Sequence, residues 1–173
     1  MRAQRDAVFA VVALTLAALP VAAQENRAVE VTPYVALGSS GAPRVGGAVT
    51  FPVTSKLSVE TDVAYRHGEG DLNFLSTDTS LLWFLPRIGK AAPYAIGGIG
   101  LAESGAIVFS ASGVPIATRS TLAFRVNAGG GVKLPINDKV AWRTDARWYK
   151  SFGKYGTEQA RVAQGLSFDV GKK

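Results

Sequence analysis

The chain has 173 residues, 47% of them hydrophobic and 18% charged, which is enough for one domain and too apolar for an intrinsically disordered one. Its formal charge is +6, but Lys and Arg are spread along the chain with no basic run interleaved with aromatics, so nucleic-acid binding is not expected. There is no cysteine, which excludes disulfides and thiolate metal sites, and neither a metal nor a cofactor is expected.

Residues 1–23 have the pattern of a signal peptide: Arg2 and Arg5 at the start, an apolar run from Ala7, and the small residues Val21-Ala22-Ala23 at the end. Cleavage after Ala23 leaves 173 − 23 = 150 residues beginning at Gln24. A retained membrane anchor is the alternative, since the run is almost long enough to span a bilayer; Pro20 beside the small residues favours cleavage. No later run approaches the length of a transmembrane helix, so any further membrane contact must come from strands.

From Gln24 to Lys173 the hydrophobicity alternates with period two and helical periodicity is missing. Strands are predicted near Val29–Leu37, Arg44–Phe51, Leu57–Arg66, Leu72–Leu85, Tyr94–Ala102, Thr121–Leu134, Val140–Phe152 and Arg161–Val170. An even count of eight suits an all-β, antiparallel up-and-down transmembrane barrel occupying residues 24–173. Connections alternate in character. "PVTSK", "PRIGKAA" and "PINDK" are compact and open on proline, while "GSSGAP", "RHGEGD", "ESGAIVFSASGVPIAT" and "FGKYGTEQ" are more varied and rich in glycine. Short turns at one rim and longer loops at the other are the asymmetry of an outer-membrane barrel. The longest connection, from Glu103 to Thr118, is the expected contact surface for a partner outside the cell.

An internal echo supports this register. "GGAVTFPVTSKLSVETDVAYR" from Gly46 matches "GGGVKLPINDKVAWRTDARWY" from Gly129, an offset of 129 − 46 = 83 residues or four strands. It aligns Asp62 with Asp145. Within the third strand Leu57, Val59, Thr61, Val63 and Tyr65 oppose Ser58, Glu60, Asp62, Ala64 and Arg66; in the seventh, Val140, Trp142, Thr144, Ala146 and Trp148 oppose Arg143, Asp145, Arg147 and Tyr149. With lipid outside, the apolar sets face it and the charged sets meet in a narrow lumen.

From Val29 onward, and most clearly in "PYAIGGIGLA", "FRVNAGGGVKLPINDKVAWRTDARWYKSFG" and "GLSFDV", the chain resembles the small bacterial outer-membrane β-barrels of the outer membrane protein A type. The resemblance covers nearly the whole of residues 24–173. It implies an integral outer-membrane protein in contact with outer-membrane lipid, expected to be monomeric and to serve a structural or surface-interaction role rather than as an enzyme.

Candidate chemistry is sparse. The clusters Gly97-Gly98 with Gly100 and Gly129-Gly130-Gly131 lack the spacing and following helix of a nucleotide loop, and are better explained as relief of crowding in curved strands. His67, the only histidine, sits in "RHGEGD" and would be the base of a lipid A deacylase-like enzyme if a serine approached it; a solvated loop histidine is the simpler reading. Glu60 and Asp62 are read as lumen ion-pair partners rather than a paired-carboxylate site. They are expected to form a network with Arg143 and Arg147, helped by Arg125 and Asp145, because the third and seventh strands face each other across an eight-strand ring. Trp142 and Trp148 are expected at the membrane interfaces. A soluble periplasmic barrel holding an apolar ligand would instead turn the charged faces outward.

Overall fold

The computed structural model describes residues 28–39, 41–67, 73–109, 115–153 and 156–171, so the expected signal peptide lies outside the described residues. The strands are β1 (Val29–Gly38), β2 (Pro43–Pro52), β3 (Leu57–His67), β4 (Asn73–Phe84), β5 (Ala92–Phe109), β6 (Pro115–Pro135), β7 (Val140–Phe152) and β8 (Glu158–Val170). Each pairs antiparallel with the next, and β1 pairs with β8 to close the barrel. Closure satisfies every ladder without leaving an edge. The one interruption between β1 and β8 falls at Thr32 and Pro33, where proline has no N–H to give; there the Thr32 and Ser167 hydroxyls bond each other at 2.8 Å.

The short turns explain their own sequences. In "PVTSK" the amides of Val53 and Thr54 both donate to the Leu57 carbonyl, and the Thr54 hydroxyl accepts from the amides of Lys56 and Leu57. In "PINDK" Ile136 and Asn137 donate to the Val140 carbonyl, and the Asn137 side-chain oxygen accepts from Lys139 and Val140. The sequence echo is thus also an echo of turn chemistry, with Thr54 and Asn137 playing one part.

Alternation sorts the faces as the period-two pattern requires. Val35, Val45, Leu81, Trp83, Ile99, Leu122, Phe124 and Val162 are exposed on the outside, while Glu60, Asp62, Asp78, Arg125, Arg143, Arg147 and Arg161 are each 3% exposed or less. The outside carries two aromatic belts. Trp83, Trp142 and Phe168 ring the end with the short turns, and Tyr65, Phe124, Phe152 and Trp148 lie toward the other. Leu57, the cross-strand partner of Trp83, and Tyr65 are eight residues apart on β3, or about 20 Å along the axis at about 3.3 Å per residue and about 40° of tilt. That approaches the height of a bilayer's apolar band.

One expectation is corrected. The segment from Glu103 to Thr118 is no long loop, because β5 and β6 continue as a paired ladder through Val108↔Ala117 and Phe109↔Pro115. Its Gly, Ser and Pro residues suggested irregular backbone, yet Ala106-Ile107-Val108 and Ala117-Thr118-Arg119 are sequences that a ladder accommodates, and cross-strand pairing outweighs the weak local turn signal. β4 stops pairing with β5 at Gly105 and β7 stops pairing with β6 at Phe124, so the hairpin projects past the barrel rim.

Candidate functional site

The charged residues form layers inside the barrel. At the centre, Glu60 from β3 accepts from both nitrogens of the Arg143 fork, from Arg147 at 2.8 Å and from the Thr50 hydroxyl at 2.9 Å. Asp145 lies 3.2 Å from Arg143 and 2.9 Å from Arg147, and reaches Arg161 at 4.0 Å. Asp62 takes Arg161 at 3.0 Å and the Tyr34 hydroxyl, which also accepts from Arg161. Three carboxylates, Glu60, Asp62 and Asp145, thus face three guanidinium groups, Arg143, Arg147 and Arg161, and the central layer is neutral. Such planar forks satisfy several acceptors at once, which lysine could not do in the same space.

Above this layer, on the side of the longer connections, Arg125 makes a two-point contact with Asp78 and stacks over the Tyr149 ring at 4.4 Å. Below it, Leu82, Tyr94 and Ile96 form an apolar cluster capped by Phe84, and Lys133 pairs with Glu30. Two tyrosines brace the layers in the same way. Tyr34 lies across from Gly46 on the neighbouring strand and bonds Asp62; Tyr94 lies across from Gly131 and bonds Asp145 at 3.3 Å. A Cβ at Gly46 or Gly131 would collide with the tyrosine ring or hydroxyl beside it, so glycine is the residue that lets each ring lie flat on the wall.

Glu60, Arg143, Arg147 and Asp145 therefore meet as the sequence pattern predicts. Two pairings differ. Asp62 is bound by Arg161 rather than by Arg143 or Arg147, and Arg125 serves Asp78 rather than the central layer. The barrel's shear displaces the rows, so strands four apart do not meet at equal height throughout. Sequence reasoning missed Asp78 and the role of Arg161. Asp78 sits in Ser76-Thr77-Asp78-Thr79-Ser80, where both alternating sets are polar and the period-two contrast that sorts the other strands is lost. Asp62 and Asp78 are direct cross-strand partners, an unfavourable like-charge pair that Arg161 and Arg125 separately neutralise.

Trp142 and Trp148 point outward, each 42% exposed, and the Trp142 indole donates to the Thr144 hydroxyl at 3.0 Å. Trp83, which sequence reasoning left aside, is exposed in the short-turn belt with Trp142, while Trp148 lies in the other belt. His67 lies exposed at the end of β3, its Nδ1 bonded to the Asn73 side-chain oxygen at 2.9 Å. Glu69 and Asp71 lie outside the described residues.

Solved structures supply the comparison. The chain is similar to the N-terminal β-barrel domain of Pseudomonas aeruginosa OprF (17% identity, TM-score 0.57, 83% of this chain and 98% of that one). It is similar also to Neisserial surface protein A (13%, 0.62, 82% and 94%) and to the outer membrane enzyme PagL (14%, 0.55, 82% and 99%). The fold is that of the small eight-stranded outer-membrane barrels. No protein-family model and no curated protein matches the sequence. At these identities the likeness concerns the backbone, and the lumen must be read from its own residues.

Read so, the interior is a filled one. The gap beside Tyr34, Arg143, Asp145 and Arg147 measures about 10 Å³, room for about one water and for no larger solute. The large opening, about 1190 Å³, is a vestibule at the short-turn end, rimmed by Lys56, Lys90 and Lys139 and floored by Lys133 and Glu30. A solute entering there meets the apolar cluster and then the ion-pair layer.

Proposed function

We propose that the protein is an integral barrel of the bacterial outer membrane, non-enzymatic and monomeric, whose sealed lumen suits a structural or surface-interaction role and not bulk diffusion. The carrying observation is the sorting of faces: exposed valine, leucine and aromatic side chains outside, and buried, mutually neutralising charges inside. In water this arrangement would leave an extended apolar surface uncovered while hiding the charges; in lipid the apolar surface is covered and the charges are kept out of the hydrocarbon. Outer-membrane lipid is accordingly its first partner. The hairpin around Glu103 to Thr118, projecting beyond the rim, is the surface offered to anything outside the cell.

Reconstitution tests this reading. Protein folded into phospholipid vesicles should resist extraction by carbonate and should leave the vesicles impermeable to disaccharides. Rapid swelling in such solutes would show an open pore and overturn the sealed lumen; release from the vesicles by carbonate would overturn the membrane span.

A further inference from the structure

Among the described residues, the buried basic groups Arg125, Lys133, Arg143, Arg147 and Arg161 each touch a carboxylate. Arg44 does not. It is the second residue of β2, at the rim opposite the short turns, and only 2% exposed. Its guanidinium donates to the Gln159 side-chain oxygen at 2.7 Å and lies 4.7 Å over the Phe74 ring, and its Nε has no partner. The guanidinium groups of Arg66 and Arg125 lie 5.7 and 5.8 Å from the same ring. A neutral amide and a ring face offset only part of the cost of desolvating a cation, and its like-charged neighbours add to that cost. A buried cation with no carboxylate beside it and an unpartnered nitrogen has capacity for a further acceptor.

We propose that Arg44 is the centre of an oxyanion site at the outer mouth of the barrel, taking a phosphate group. Gln159 and Arg66 flank it and are only half-buried, so the approach is from their side. Rotation of the Gln159 amide withdraws its oxygen from Arg44 and turns its NH₂ toward the incoming group. The phosphate oxygens then accept from the Arg44 fork, and the nearby Arg66 charge adds to the attraction. Arg125 remains with Asp78. Two sources present this chemistry: the free ion, and a phosphate carried by a sugar or lipid headgroup at the outer leaflet. Only the second source rests on the membrane reading; the binding chemistry does not.

The test uses the folded full-length barrel in detergent, with its closed state verified by unheated gel mobility. Inorganic phosphate is titrated by calorimetry, with sodium chloride at matched ionic strength as the control. Saturable phosphate binding is expected, weakened at least about tenfold in Arg44→Gln, the weight of one charge-assisted hydrogen bond. Gln159→Glu, which hands Arg44 an internal carboxylate, should abolish the phosphate response while keeping the barrel closed, and decides the matter if Arg44→Gln fails to fold. A second arm compares phosphatidylcholine vesicles carrying intact or dephosphorylated lipopolysaccharide. A preference for the intact form that Arg44→Gln removes assigns the headgroup, and equal binding alongside a response to inorganic phosphate assigns the free ion. Either result sustains the site. No phosphate response in either arm, or wild-type affinity in Gln159→Glu, overturns it, whereas failure to insert into vesicles with phosphate binding intact would count against the membrane reading alone.

Discussion

Replacing Glu60 by alanine probes the lumen most sharply, because that carboxylate holds two arginines and the Thr50 hydroxyl with no exposure to solvent. The substitution takes the central layer from three carboxylates and three guanidinium groups to two and three, leaving one unneutralised charge. Removing one partner of a buried pair costs about 3–5 kcal/mol. The low end applies, because Asp145 still lies 3.2 Å from Arg143 and 2.9 Å from Arg147, and the Tyr94 hydroxyl still accepts from Arg143 at 2.8 Å. A loss of about 3 kcal/mol is therefore expected in reversible urea unfolding from phospholipid vesicles, followed by tryptophan fluorescence. Adding Arg143→Ala restores neutrality, so the double variant should cost about 2 kcal/mol less than the sum of the single ones. Strict additivity, or a Glu60→Ala barrel as stable as the wild type, would refute the claim that these charges are enclosed and coupled. The network's net contribution is a different quantity, since a well-packed apolar lumen can be as stable as an ion-paired one.

Arg125→Ala should cost about 3 kcal/mol or more, because it strands Asp78 opposite Asp62, and Asp78→Asn in the same chain should recover part of that loss in the same unfolding assay. Gly131→Ala forces a methyl group into Tyr94 and should destabilise by about 1–3 kcal/mol, with the matching Gly46→Ala behaving alike against Tyr34. Trp83, Trp142 and Trp148 should be quenched by brominated lipids, most strongly with bromine near the headgroups for Trp83 and Trp142. Protease added to intact cells should cut within residues 103–118 and spare the turn at Lys139; the reverse pattern would invert the orientation.

Strand count, the boundaries of β7 and the inward face of β3 are legible in the sequence because a barrel writes one rule along its length: alternate residues meet alternate media. The echo between Gly46 and Gly129 carries more than was read from it. It aligns Glu60 with Arg143, and these two residues, four strands apart, grip each other across the lumen. What alternation cannot supply is height. Whether Asp62 meets Arg147 or Arg161 depends on shear, a property of closure and not of any one strand. The projecting hairpin was hidden for another reason: glycine, serine and proline weaken a strand signal locally, and only pairing with the neighbour restores it. Arg44 was equally invisible, since an unneutralised cation is recognised only when all its neighbours are in place.

The central claim is that lipid lies outside these strands and the charges lie within a closed ring. Fractionation of expressing cells, followed by electrophoresis of unheated and heated samples, tests both halves together. The protein should travel with the outer membrane and run as a compact band without heating and as a slower, unfolded band after it. Recovery in the soluble periplasmic fraction, with one mobility regardless of heating, would contradict the account.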